Sequence, residues 1–183
     1  MIRSSHQDPG QSNCPLWGRW ISRDGVVGAV RQLTPSSHTD MSNYSVSSDL
    51  DGDAMLTWDL FPSANLYARR ISRTGTIGQA LLVSSYGRLH AVHIDDDGDG
   101  VVVWQGKGTN NIVSNVRARR VTSLGTFGTA QVVASNGRYP TMAVSRPDAR
   151  WSHGNGNSRS TCGFRPASDR NGCTLQLTVA AQR

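Results

Sequence analysis

Six aspartates in two short runs are the residues best placed to do chemistry. Asp95, Asp97 and Asp99 alternate and end at Gly100, while Asp49, Asp51 and Asp53 alternate in the same way and end at Ala54. Alternate carboxylates on a tight loop can converge on one hard cation, and calcium takes about six to eight oxygens at ~2.3–2.6 Å. Such a loop closes with another acidic group near its ninth position, where Val103 and Thr57 stand here. The competing reading is a turn, since Asp51–Gly52 and Asp97–Gly98 supply positive φ to a hairpin and surplus aspartates keep it soluble. A turn is the first expectation and calcium at Asp95, Asp97 and Asp99 the second, with Asp49, Asp51 and Asp53 the weaker copy. No other cofactor is expected.

Paired carboxylates can also act as acid and base in glycoside hydrolysis. All of these lie on adjacent turn positions, and nothing in the sequence sets two across a cleft. "SDLDGDAMLTW" shares the Asp, Gly and Trp of the box carried by sialidase-type propellers, but at a different spacing. His90 and His93 lie three apart on an expected strand, so they point to opposite faces and read as surface or pocket-edge residues. G-x-S-x-G, P-loop and dinucleotide fingerprints are absent. The chain is expected to have no catalytic residues and not to be an enzyme.

The elements that hold these residues must be strands. The 183 residues include no glutamate and one lysine, Lys107, with 19 glycines and many Ser, Thr and Val. Glu and Lys favour exposed helix faces, whereas Asp, Gly and β-branched residues suit strands joined by tight turns. The net charge of +6 invites a nucleic-acid reading. From residue 145 onward, however, six arginines face two aspartates, so the basicity belongs mainly to the tail. No basic run alternates with aromatics, and nucleic-acid binding is not expected. No signal peptide is visible, and no apolar run reaches the ~18 residues of a membrane span. Cys14, Cys162 and Cys173 lie outside any C-x-x-C or C-x-x-H context. Free thiols are the first reading of them, with a small Cys162–Cys173 loop the alternative.

"RWISRDGVVGAVRQLT" begins at Arg19, "RRISRTGTIGQALLVS" at Arg69 and "RRVTSLGTFGTAQVVA" at Arg119. Between them "YSVSSDLDGDAMLTW" and "AVHIDDDGDGVVVW" end at Trp58 and Trp104. Each unit reads as four short strands: 44–47 or 90–94, 54–58 or 101–104, 66–72 or 115–122, and 80–84 or 130–134. A G-x-x-G reversal joins the last two. The fold class is therefore all-β, built of four-stranded antiparallel units in an incomplete propeller-like array with little helix. A first strand at 141–144 leaves under three blades, against the roughly four to eight of a closed propeller. Residues 1–16 read as an unstructured segment, 17–144 as the repeat domain with units broken near 66 and 116, and 145–183 as an irregular basic tail. Both ends look foreign to the repeat, as though recombined or frame-shifted out of a longer protein.

This pattern resembles tandem repeats of about fifty residues in large bacterial surface and secreted proteins, taken as β-propeller-like. Residues 95–100 resemble, more distantly, integrin-type and dockerin-like calcium loops. The repeat resemblance implies export and a binding or scaffolding role. The functional expectation is a non-catalytic repeat module with a protein or glycan partner, or with itself through open strand edges. The alternatives are a calcium-binding adhesion or lectin-like module and a glycoside-hydrolase-like propeller. Trp58 and Trp104 are expected in the core between units, with ligand stacking the alternative. The Arg69/Arg119 ladder is expected either to cross-link units through the Asp turns or to line a face for an acidic or glycan partner.

Overall fold

The computed structural model describes residues 15–21, 25–38, 40–108, 114–135 and 137–145. It also describes the strands Ile2–Arg3, Cys162–Phe164 and Gln176–Gln182. The remaining parts of 1–16 and 145–183, and the side chains of Cys14, Cys162 and Cys173, lie outside the described residues.

The described chain is all β. Its strands are β1 (Ile2–Arg3), β2 (Trp17–Gly18), β3 (Arg31–Gln32), β4 (Met41–Ser48), β5 (Ala54–Leu60), β6 (Leu66–Ile71) and β7 (Leu81–Ser84). There follow β8 (Arg88–Ile94), β9 (Gly100–Lys107), β10 (Ser114–Val121), β11 (Gln131–Ser135), β12 (Arg138–Ser145), β13 (Cys162–Phe164) and β14 (Gln176–Gln182). Two complete antiparallel meanders, β4–β5–β6–β7 and β8–β9–β10–β11, are flanked by the three-stranded sheets β1–β2–β3 and β12–β14–β13. All four sheets are open. No helix occurs among the described residues.

The second strand of each meander lies inside the stack. Ala54 to Asp59 are all buried along β5, as are Gly100 to Trp104 along β9. A strand covered on both faces reads as a continuous apolar run, and "VVVW" is such a run. By contrast β4 alternates half-buried and exposed residues, and its sequence "MSNYSVSS" is correspondingly polar. Alternation assigns each β5 side chain to a face. Leu56 and Trp58 point back, into one cluster with Leu16, Leu33 and Ile71. Met55 points forward, joining Leu66, Ala68 and Val83 against Val92, Ile94, Val102, Trp104 and Val121 of the next sheet. A third cluster packs Val101, Val103, Val116 and Ala118 with Met142 of β12. The core is thus a series of layers between successive sheets. Fully burying one such Leu or Val side chain stabilises by about 1.5–3 kcal/mol.

The G-x-x-G reversal takes the same form three times. Gly25, Gly75 and Gly125 have φ of 81°, 80° and 79°, a region where only glycine is free of strain. Each reversal is closed by a two-residue bridge, Ile21 with Val27, Ile71 with Ile77 and Val121 with Phe127. Gly28, Gly78 and Gly128 donate their N–H to the carbonyls of Trp20, Arg70 and Arg120 at 2.8, 2.9 and 3.0 Å. First strands sit side by side, with β8 packed against both β4 and β12. Ile94 N–H donates to Ser47 Oγ at 3.3 Å across one of these contacts.

Candidate functional site

The two aspartate runs form the β4–β5 and β8–β9 hairpins, with near-identical geometry. Asp49 N–H donates to the Asp53 carbonyl at 3.0 Å, and Asp95 N–H to the Asp99 carbonyl at 2.8 Å. In return Asp53 N–H donates to Asp49 Oδ1 at 2.9 Å and Asp99 N–H to Asp95 Oδ1 at 2.8 Å. Each first aspartate therefore caps its own turn. Gly52 and Gly98 occupy the positive-φ corner, at 91° and 77°.

The last aspartate of each run is clamped from the neighbouring third strand. Arg70 Nη2 pairs with Asp53 Oδ2 at 2.8 Å, and Arg73 N–H donates to Asp53 Oδ1 at 2.7 Å. In the later copy Arg120 pairs with Asp99 Oδ2, and Ser123 N–H donates to Asp99 Oδ1 at 2.7 Å. The N–H of Arg73, then the Arg70 guanidinium, hold the Asp53 carboxyl below its ordinary range. Burial pushes Asp95 up, and repulsion from Asp99 and Asp97 adds to it against the N–H bond from Asp99. The middle residues, Asp51 and Asp97, are exposed. Each run thus brings a turn cap and a clamped carboxylate together. Among the described residues no group of three or more His, Cys, Asp or Glu is gathered as a metal would need. Gly100, the mark that favoured the later copy as a calcium loop, has a packing reason as well. A Cβ there would lie 2.8 Å from Met55 Cε.

Register sorts the arginines. Leu56 lies opposite Arg69, and Met55 opposite Arg70. Arg69 therefore points back with Leu56, and its Nη1 donates to the Leu33 carbonyl at 2.6 Å. Arg119 repeats this to the Val83 carbonyl at 2.7 Å. The ladder does tie neighbouring units, but through backbone carbonyls. Pairing with the Asp turns falls instead to Arg70 and Arg120. Arg70 also reaches forward, its Nη1 donating to the carbonyls of Gly98 at 3.2 Å and Ser123 at 2.7 Å in the next unit. Trp20, at the corresponding place in the first unit, packs against the cluster around Leu33 and Trp58.

The histidines differ from the sequence reading. His90 is not at a surface, because its side chain is fully buried between the two meanders. Its Nδ1 lies 3.0 Å from Thr57 Oγ1, and its Nε2 faces Asp59 Oδ1 at 3.8 Å. Asp59, itself buried, accepts from Asn43 N–H at 2.7 Å. His90 Nε2 has no hydrogen-bond partner within reach. Sequence reasoning missed this group, although one signal was present. Asp59 directly follows Trp58 in the run "AMLTWDL", where Thr57 is the one other polar residue. A hydroxyl, an imidazole and a carboxylate in series can relay a proton, but these three are closed off from solvent and brace one sheet against the next. His93 is half-buried, and burial lowers its pKa against the pull of Asp96.

Trp58 and Trp104 are buried side chains of the core. Trp58 stacks on Tyr67 with centroids 5.7 Å apart, and its Nε1 donates to His38 Nδ1 at 3.1 Å. That bond needs a neutral His38, whose pKa burial and the nearby Arg69 both lower. Trp104 Nε1 has no partner within reach.

The fold and these contacts define a class: an open all-β stack of antiparallel four-stranded units tied by recurrent Asp and Arg contacts. No protein-family model matches the chain, and no curated protein matches it in sequence. Among the described residues no helix is long and apolar enough to cross a membrane.

Proposed function

We propose that this chain is a non-catalytic scaffold, a stack of propeller-like repeat units that presents its loops and faces to a protein or glycan partner. One observation carries the reading. Asp53 and Asp99, Arg69 and Arg119, and Arg70 and Arg120 recur from unit to unit, and all of them bind the structure to itself. A catalytic carboxylate pair needs at least one group aimed at substrate, whereas these carboxylates face arginines and backbone N–H groups. The repeat resemblance supports a surface or secreted repeat protein as the setting.

The test is turnover of a panel of aryl glycosides by the purified chain, beside its Asp99→Asn variant. No release of the aryl group supports the scaffold reading. Release that disappears in Asp99→Asn, with the circular dichroism spectrum unchanged, overturns it and favours a hydrolase.

A further inference from the structure

We infer that the back of β4 docks an extended strand of a partner protein, one with small side chains at alternate positions. The first sheet supplies the frame. β2 pairs with β3 through Trp17 and Gln32 as β6 pairs with β7 through Tyr67 and Leu82. β1 lies on the other side of β2, as β5 lies beside β6. The three strands thus stand at the second, third and fourth places of a unit, and among the described residues that sheet ends at β1. The place of a first strand falls beside β1 and behind β4, as β4 itself lies behind β8. An edge such as that of β1 offers backbone N–H and C=O groups to an added strand.

Exposure marks the same place independently. Val46 pairs with Leu56 and Val92 with Val102, equivalent positions in successive sheets. Val92 is 8% exposed and the His90 side chain 0%, whereas Val46 and Tyr44, their counterparts, are 42% and 43% exposed. What covers the later pair says what fits the earlier one. β4 turns the half-buried Ser45 and Ser47 toward β8, and Ser47 Oγ accepts the Ile94 N–H at 3.3 Å. One layer on, Ala91 of β8 and Met142 of β12 pack against the same cluster. In each layer the strand behind is small and the strand in front is bulky. An extended chain with serine or alanine at alternate positions therefore matches Tyr44 and Val46. The strands of this chain built that way, β4 and β8, are each held in their own sheet, so the docked strand comes from another protein. The inference says what a partner of the scaffold presents and rests on that reading. Binding is read by calorimetry and catalysis by turnover, so the two fail separately.

The experiment is calorimetric titration of the full chain with the synthetic peptide "MSNYSVSS", the segment that lies behind β8 in the structure. A second peptide carries Ser45→Arg and Ser47→Arg. The protein variants are Val46→Arg and the control Val132→Asp, both at exposed sites and both checked by circular dichroism. The expected result is saturable binding of the first peptide and none of the second. Val46→Arg should weaken it about tenfold, the loss of a central contact, while Val132→Asp leaves it unchanged. No saturation up to about 1 mM peptide overturns the proposal. So does equal binding by the arginine peptide, binding that survives Val46→Arg, or an equal loss in Val132→Asp. Sedimentation velocity of the chain alone completes the test, because a dimer that disappears in Val46→Arg would make a second copy the occupant and overturn the assignment to a partner.

Discussion

Arg70 Nη1 donates to the carbonyl oxygen of Ser123 across 2.7 Å, joining two sheets from positions far apart in the chain. The same guanidinium pairs with Asp53 in its own sheet. One side chain thus fixes a hairpin and an inter-sheet contact together, and its removal releases both.

Arg70→Ala should therefore cost about 2 kcal/mol, in the range of charge-assisted hydrogen bonds lost from a partly buried site. Asp53→Ala should cost less, because Arg70 keeps its carbonyl acceptors in the next unit. Urea denaturation of both single variants and the double variant checks this. The double-mutant cycle should return a coupling well below the whole Arg70 loss.

The buried group around His90 should be less forgiving. Asp59→Ala leaves Asn43 N–H without its carboxylate and His90 with nothing opposite Nε2, at a cost of about 2–4 kcal/mol. Asp59→Asn keeps an oxygen for the Asn43 N–H and should lose less. The check is the urea midpoint of each variant, and equal losses would mean that the Asn43 bond contributes nothing.

Acid should act on the two hairpins with opposite sign. Asp53 has its folded pKa held below the unfolded value of about 3.9. Its contribution is complete above that value and disappears as pH falls through the lower folded one. Asp95 has its folded pKa raised. Its buried charge costs stability at neutral pH, and the cost is relieved as pH falls through the raised value. Asp95→Asn should accordingly raise the urea midpoint near neutral pH, with the gain shrinking as the buffer turns acid. Asp53→Asn should lower the midpoint near neutral pH and converge on the parent only in strong acid.

Calcium should add nothing to the melting temperature, since Asp95 Oδ1 and both Asp99 oxygens already accept hydrogen bonds inside the protein. Thermal melts with calcium and with chelator, for the parent and Asp97→Ala, test this. A rise in the parent that is lost in Asp97→Ala would restore the calcium reading of Asp95, Asp97 and Asp99.

The strands were legible because their signals are local. Period-two alternation, Asp-Gly corners and the G-x-x-G reversal each act over a few residues, and all four strands of both meanders appear where the sequence puts them. Boundaries moved by one to a few residues, as where the strand expected at 90–94 begins at Arg88. What was not legible depends on register between strands. Alternation says that Arg69 and Arg70 part ways, but only the pairing with Leu56 and Met55 says which one faces the preceding unit. His90 was misplaced for the same reason, its partner Thr57 lying in a different sheet.

The two corner glycines separate backbone strain from packing. A Cβ on Gly52 would meet Arg73 Cβ at 3.5 Å, an ordinary contact, so Gly52→Ala should cost only the positive-φ penalty of about 1–2 kcal/mol. A Cβ on Gly98 would overlap the Arg70 guanidinium. Gly98→Ala must therefore bear the same backbone penalty and also push Arg70 off the Gly98 and Ser123 carbonyls. Its urea midpoint should fall further than that of Gly52→Ala. In an Arg70→Ala background, where the obstructing group is gone, the two glycine substitutions should become equal.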